Sequence, residues 1–304
     1  CCIIKMNSLS ELTVIIVTYQ TDRKILKDCI NSINKDVQIK IIENSNLFEN
    51  EDLFLKEYQN LSIYCTGKNL GYGGGNNFGF EKTKTNFALV LNPDIICDKE
   101  FFENIKIYLD NKINFSIIGT SLKNKSIFNT SGQFNENKNK IYEEDQLEKF
   151  LKRVNWVVGS SMLFNLKKFE KKKIFDENFF LYFEEFDLCK KLEKEKNKVY
   201  TSSKLLVTHL GYKGSFAANP KLTLLGEKLR NWHWMWSTFY FYKSNYGILF
   251  AYRKTFSKLI KSSLKFIYYY LSFNDQLSSK YKYRFLGLLN SMKGKKSWFR
   301  INLP

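Results

Sequence analysis

Five consecutive apolar residues, Phe87-Ala-Leu-Val-Leu91, constrain this chain more than any other stretch. They carry no helical period, so the run reads as a short strand covered on both faces. It stops at Asn92-Pro93, where a residue without an N–H cannot continue a sheet ladder. Asp94 follows at once, which puts a carboxylate at the carboxyl end of a central strand. In open α/β sheets ligands bind at that edge. Turn chemistry alone also favours Pro and Asp there, so the neighbouring stretches must decide between a turn and a site.

Those stretches alternate strand with helix. Leu12–Val17 is a β-branched run closed by Thr18-Tyr19, and Arg23–Asn34 follows as a helix with Ile25, Leu26, Cys29, Ile30 and Ile33 on one face. Val37–Ile42 is a second strand, ending in Glu43-Asn44-Ser45. Glu51–Gln59 is helical and Leu61–Cys65 is a third strand. Asn69-Leu-Gly-Tyr-Gly-Gly-Gly-Asn-Asn77 reads as a loop leading into a helix to about Lys84, and Glu100–Leu109 as a further helix. The alternation predicts a doubly wound, mostly parallel sheet. It gathers the polar tips, Thr18/Tyr19, Glu43/Asn44, 69–77 and Asn92/Asp94, at one sheet edge.

The glycine run lacks the Gly-Lys-Ser/Thr of a phosphate-binding loop, and it does not follow the first strand as a dinucleotide fingerprint would. Glycines opening a helix still offer close backbone approach and free amides to an anion. Residues 121–150 are polar and irregular, and Glu143-Glu144-Asp145 within them reads as a solvated face. Trp156–Phe164 reads as a strand approached closely at Gly159-Ser160-Ser161.

Between Phe175 and Phe186 six Phe/Tyr surround a cluster of acids, Glu184, Glu185 and Asp187, at the start of a helix running to Lys196. A helix dipole favours acids in the first turn. A partly buried carboxylate beside a pocket is also a candidate general base. Val199–Thr201 and Leu205–Thr208 are short strands. His209 after them is open between a structural histidine and a ligand, with the loop Gly211–Ser215 following.

Charge divides the chain. Residues 226–304 hold 15 Lys/Arg and two acids, so +13 of the total +18 falls there. A division into 1–225 and a basic, aromatic-rich helical appendage 226–304 follows. Such a tail points to an anionic partner. Its mix of Trp232–Trp236, Phe239–Tyr242 and Phe266–Leu271 with Lys258, Lys261, Lys265 and Lys280–Arg284 suits helices lying in a bilayer interface. The other reading is a helical appendage packed on the domain, its lysines merely solvated. The six cysteines show no Cys-x-x-Cys spacing, which argues against zinc and fits a reducing cytoplasm. Met6 is a possible true start, so residues 1–10 are set aside.

In this order, Val-Thr-Tyr (17–19), Glu-Asn-Ser (43–45), 69–77, Leu-Asn-Pro-Asp (91–94), Trp-Val-Val-Gly-Ser-Ser-Met (156–162) and 175–189 resemble the inverting glycosyltransferases of family 2. The nearest likeness is to rhamnosyltransferase-like members that build bacterial surface polysaccharides. The resemblance covers about residues 12–215 and implies a Rossmann-like α/β body of the GT-A type. It implies a nucleoside-diphosphate sugar as donor, a hydroxyl of a glycan or lipid-linked acceptor, rhamnose as a candidate sugar, and Mg²⁺ or Mn²⁺ as cofactor. Thr18, Tyr19, Glu43 and Asn44 then match positions around the donor's base and ribose. Asn69, Gly73, Gly74, Asn77 and Asn92 match the donor side, Asp94 the metal-binding acid, and His209 a position that reaches the metal or diphosphate. Glu185 matches the catalytic base, with Asp187 and Glu184 as substitutes. The family usually has Asp at positions 43 and 185, and one methylene moves a carboxylate by about a bond length, on the scale of 1 Å to which catalysis is sensitive.

The implied partners are that donor, that acceptor and an anionic membrane at the inner face of the cell, without nucleic acid. A sugar-nucleotide nucleotidyltransferase would carry glycine and Arg/Lys right after the first strand, and Thr18–Arg23 has no glycine. A nucleic-acid binder would explain the basic tail, but strand-end carboxylates repel phosphate unless a metal intervenes.

Overall fold

The structure is a computed structural model and describes residues 8–123, 131–132, 150–211 and 220–300. The acidic cluster at 143–145 and the loop after Gly211 lie outside the described residues. The chain forms two compact units. The first comprises Cys1–Leu70, Gly74–Phe175 and Leu188–Ser215; the second comprises Gly71–Gly73, Asp176–Asp187 and Phe216–Pro304.

The first unit is built on one sheet. β1 (Leu12–Thr18) pairs in parallel with β2 (Gln38–Glu43) on one side and with β4 (Phe87–Leu91) on the other, and β3 (Leu61–Cys65) lies outside β2. Strand order therefore runs outward from β1 to β3, then jumps back across β1 to β4. The reversal leaves a crevice between the carboxyl ends of β1 and β4, the place where α/β sheets bind ligands. The connecting helices are α1 (Arg23–Asn31), α2 (Glu51–Glu57) and α3 (Gly71–Lys82). α1 starts where it does because the Asp22 carboxylate accepts from the Lys24 and Ile25 amides.

Beyond β4 the sheet becomes mixed, where the alternation had suggested a mostly parallel one. β5 (Ile95–Cys97), α4 (Phe101–Asp110) and β6 (Ile117–Leu122) follow β4. β7 (Ser131–Gly132), β8 (Leu151–Arg153), β9 (Trp156–Val157) and β10 (Ser161–Asn165) come next. β10 inserts antiparallel between β4 and β6. β11 (Val199–His209) runs parallel to β6 and antiparallel to β5 and β8. The single strand expected over 156–164 is two, because the chain turns at Gly159-Ser160 and β9 pairs with β7 in a separate ribbon. The two strands expected over 199–208 are one, with a register shift between Thr201 and Leu206.

The glycines, too, lie elsewhere than expected. α3 begins at Gly71, so Gly73, Gly74 and Gly75 form its first turns instead of a loop before it. The reason is packing. A Cβ on Gly75 would lie 2.7 Å from Val17 Cγ1, and one on Gly79 would lie 2.5 Å from Ile15 Cγ2. Bare glycine lets the helix settle directly onto β1.

In the second unit, α6 (Pro220–Tyr246), α7 (Ile248–Leu271) and α8 (Asp275–Met292) pack on one another around Met235, Phe239, Ala251 and Leu288. α6 also holds the segment 176–187. Tyr240 donates to Asp176 (3.1 Å), Ser237 to the Leu181 carbonyl (2.9 Å), and Phe241 packs on Phe183. The basic tail is thus part of the fold that carries the acidic cluster.

Candidate active site

The crevice begins at the end of β1. Thr18 and Glu43 are register partners on neighbouring strands, and both are buried. Glu43 is held from several sides: Thr18 Oγ1 donates to Oε2 (2.7 Å), Ser45 Oγ to Oε1 (2.8 Å), and the Gln20 amide to Oε1 (3.4 Å). Gln20 escaped the motif reading, and Ser45 stood in the Glu-Asn-Ser stretch without a role, because their part is visible only once β1 and β2 are side by side. Gln20 carries a left-handed φ of 48°, which turns the chain just after Tyr19. Tyr19 itself is half-buried at the strand's tip.

Asn44 continues the rim. Its Oδ1 accepts from the Leu70 amide (2.9 Å) and Thr66 Oγ1 (3.2 Å), and its Nδ2 donates to Asn69 Oδ1 (3.2 Å). It folds the approach to α3 against the end of β2. Asn77, expected on the donor side, is fastened elsewhere. Its Oδ1 accepts from the Ile174 and Phe175 amides and its Nδ2 donates to the Phe175 carbonyl, with the side chain buried. An amide so engaged ties α3 to the chain before the acidic segment. Gly73 and Gly74 lie in the first turn of α3.

Asp94 stands just past β4, 3% exposed, on the other side of the crevice. Pro93 ends the strand and the Asn92 carbonyl accepts from the Ile95 amide, so the chain turns directly into β5. β5 pairs antiparallel with β11, with Ile95 opposite His209. That register brings His209 Nε2 to 3.2 Å from Asp94 Oδ1. The sequence separates these residues by more than a hundred positions; one ladder rung joins them. A carboxylate oxygen and an imidazole nitrogen at this spacing suit a divalent cation that keeps its remaining positions for phosphate oxygens and water. Among the described residues no group of three or more His, Cys, Asp or Glu forms a closed metal cage. An open site of few protein ligands is the form that a substrate-bridging ion takes.

The acidic cluster belongs to the second unit. α5 (Glu184–Lys194) starts at Glu184, and Tyr182 and Phe183 before it both adopt left-handed φ, 70° and 72°. Two bulky residues in that region are strained, and such strain persists only where packing imposes it. Tyr182 and Phe183 pack on Trp234, and Phe183 also on Phe241. The three acids differ in surroundings. Glu184 is buried, its two oxygens have no hydrogen-bond partner among the described residues, and burial, then the Glu185 charge, pushes its pKa well up. Asp187 is buried and its Oδ1 accepts from Asn245 Nδ2 (2.8 Å). Glu185 is the one of the three that is only half-buried.

A family model described as "Glycosyl transferase family 2" matches residues 13–172. A low-salt glycan biosynthesis hexosyltransferase of Haloferax volcanii is 26% identical over 211 residues, covering 64% of this chain and 65% of that protein. The match thus spans just under two thirds of that relative's length. Rhamnosyltransferase WbbL of Escherichia coli is 28% identical over 208 residues, covering 60% of this chain and 76% of that protein. Among solved structures, a Pyrobaculum calidifontis mannosyltransferase in complex with GDP-Man and Mn²⁺ aligns with a TM-score of 0.53 at 9% identity, covering 94% of this chain and 88% of that one. GalNAc-T7 with UDP, GalNAc and Mn²⁺ aligns at 0.52 and 13% identity, covering 77% and 50%. At these identities the structural likeness speaks for the fold alone.

Proposed function

Because the chain belongs to glycosyl transferase family 2, we propose that it is a metal-dependent, inverting transferase working on a nucleoside-diphosphate sugar. The sugar goes to a hydroxyl of a glycan or lipid-linked acceptor in cell-surface polysaccharide synthesis, with rhamnose the first sugar to try. The reaction takes place on the cytoplasmic side, at the inner face of the membrane. The observation that carries the reading is the Asp94–His209 pair, 3.2 Å apart at the strand-order reversal.

The nucleoside lies along the ends of β1 and β2, against Thr18, Tyr19, Glu43 and Asn44. Asn92, beside Asp94 at the end of β4, would face the diphosphate, and glycine amides such as those at the start of α3 are the kind of group that receives an anion. Asp94 and His209 would hold Mg²⁺ or Mn²⁺, which when bound acts as a Lewis acid toward the leaving diphosphate. Glu185 takes the proton of the acceptor hydroxyl. The freed oxygen forms a bond to the anomeric carbon as the opposite bond to diphosphate breaks, so the configuration inverts. Surroundings favour Glu185 over its neighbours: Glu184 is driven to hold its own proton, and Asp187 is buried and engaged by Asn245.

A thermal-shift panel of nucleotide sugars, with and without Mn²⁺, tests the reading. Ligand that binds only the native state raises the melting point. One donor should shift the wild type in a Mn²⁺-dependent way and leave Asp94→Ala unshifted. A donor shift that is indifferent to both Mn²⁺ and Asp94 would remove the metal from the mechanism.

A further inference from the structure

α7 is an amphipathic helix turned inside out. The row buried against its partner helices is mostly small and polar, Ala251, Thr255 and Ser262, with Leu259 half-buried beside it. The large apolar side chains point the other way. Leu249 (83% exposed), Phe256, Ile260, Leu264 (61%), Ile267 and Leu271 recur every three, four or seven positions and form one outward stripe, continuous from Phe256 on, with Arg253 on the same face between Leu249 and Phe256. Exposed apolar residues scattered singly need no explanation, whereas a stripe the length of a helix does. At 1.5 Å per residue, it runs for about 35 Å. Phe273, 93% exposed, extends it past the helix end.

Charge says what covers the stripe. α7 contains Arg253, Lys254, Lys258, Lys261 and Lys265 and no acid. Lys254, Lys258, Lys261 and Lys265 follow one another at four, three and four residues, a row along the flank between the apolar stripe and the buried face. No described helix is long and apolar enough to cross a membrane. A helix with an apolar face, a basic flank and too little hydrophobicity to span lies in the plane of an anionic bilayer. We propose that the outward face of α7 is a membrane-docking surface, with Phe256, Ile260 and Leu264 entering the headgroup boundary and the lysine row taking anionic lipid headgroups. Its purpose rests on the transferase reading, since a lipid-linked acceptor would be met there; its physical basis does not.

Full-length protein is floated with vesicles of phosphatidylcholine alone, or with roughly one third phosphatidylglycerol to supply the negative surface. The wild type should float with the anionic vesicles only, and less as salt rises. Phe256→Ser, Ile260→Ser and Leu264→Ser together should lower the floated fraction at least tenfold, as should Lys258→Glu with Lys261→Glu. All these side chains are exposed, and an unchanged melting curve verifies the fold. Equal flotation of wild type and both variants, equal binding to neutral vesicles, or no flotation at all overturns the proposal. So does a concentration-dependent dimer that the serine variant abolishes without any vesicle binding, which would give the stripe to a second copy. Sugar transfer to a soluble acceptor is followed in parallel. In the wild type, flotation without transfer counts against the transferase reading alone, and transfer without flotation counts against the docking surface alone.

Discussion

At the scale of single residues, three neighbouring acids show how surroundings assign chemistry that residue type leaves open. Glu184, Glu185 and Asp187 are equivalent on paper. In the fold two are buried and one reaches solvent. Glu185→Gln should lower kcat roughly 10²- to 10⁴-fold, the usual contribution of a general base, with donor binding intact in the thermal-shift assay. Glu184→Gln is a different experiment. A carboxyl whose folded pKa is raised binds its proton more tightly in the native state. Its contribution to stability is full below the ordinary glutamate value, about pH 4.3, and is lost as pH rises. The Gln variant, always neutral, should therefore match the wild type near pH 4 and melt higher than it at neutral pH, with the gap widening as pH climbs. A gap that stays flat with pH would mean Glu184 does not titrate this way.

At the scale of elements, the glycine run illustrates how a local pattern can be read correctly for composition and wrongly for place. Glycine with asparagine suggests a loop, because propensity disfavours glycine inside a helix by about 1 kcal/mol. Tertiary packing overrides that, since only bare backbone fits against Val17 and Ile15 of β1. The start of α3 offers a controlled test. Gly71 and Gly247 both have left-handed φ, +80° and +90°. A Cβ at 71 would stand 2.2 Å from the Phe180 carbonyl oxygen, whereas at 247 nothing lies within 4 Å. Gly247, at φ 90° and ψ 163°, sits in a region that essentially only glycine occupies, so Gly247→Ala should cost about 1–3 kcal/mol of backbone strain. Gly71→Ala adds a backbone clash and should cost at least 2 kcal/mol more, on the scale of overpacking. Urea unfolding of the two variants reads the difference directly, and equal costs would contradict the close contact. The Asp94–His209 pair belongs to this scale too. Each residue stood out in the sequence, but their meeting depends on the antiparallel β5–β11 rung, and β5 is three residues long, too short for periodicity to reveal.

At the scale of the whole molecule, the C-terminal helices are structural partners of the acidic segment. Removing 226–304 takes away Tyr240, Ser237, Asn245 and Phe241, which hold Asp176, Leu181, Asp187 and Phe183. The truncated chain should lose transfer even to a soluble acceptor, whereas the α7 surface variants keep it. Acid stability is also set here. His233 is buried in α6, its Nε2 2.7 Å from the Phe299 carbonyl and its Nδ1 3.0 Å from Ser297 Oγ. A carbonyl only accepts, so Nε2 carries the proton and Nδ1 accepts from the serine. Burial first, and the Arg300 charge after it, lower the pKa to about 3. The unfolded chain takes a proton below about pH 6.5 and the native one does not. Stability is therefore full above that pH and falls by several kcal/mol at most as pH drops toward 3. Because Glu184 acts in the opposite sense over the same range, the readout is a difference: from pH 7 to pH 4 the denaturant midpoint of His233→Gln, which cannot ionise, should gain steadily on that of the wild type, and a constant difference would contradict the buried neutral imidazole.

The sequence by itself determined the parallel core and its ordered motifs, because apolar runs closed by Thr18, Glu43 and Asp94 leave little freedom in how strands and their polar tips are arranged. It also announced the basic, aromatic tail. What only the tertiary structure decided is everything that depends on a partner distant in the chain. His209 comes to Asp94 through a ladder rung, Asn77 is spent on the backbone at 174–175, and the tail helices become the support of residues 176–187. Local propensity acts over a few residues, whereas burial and hydrogen-bond satisfaction are settled between segments that meet only when the chain is folded.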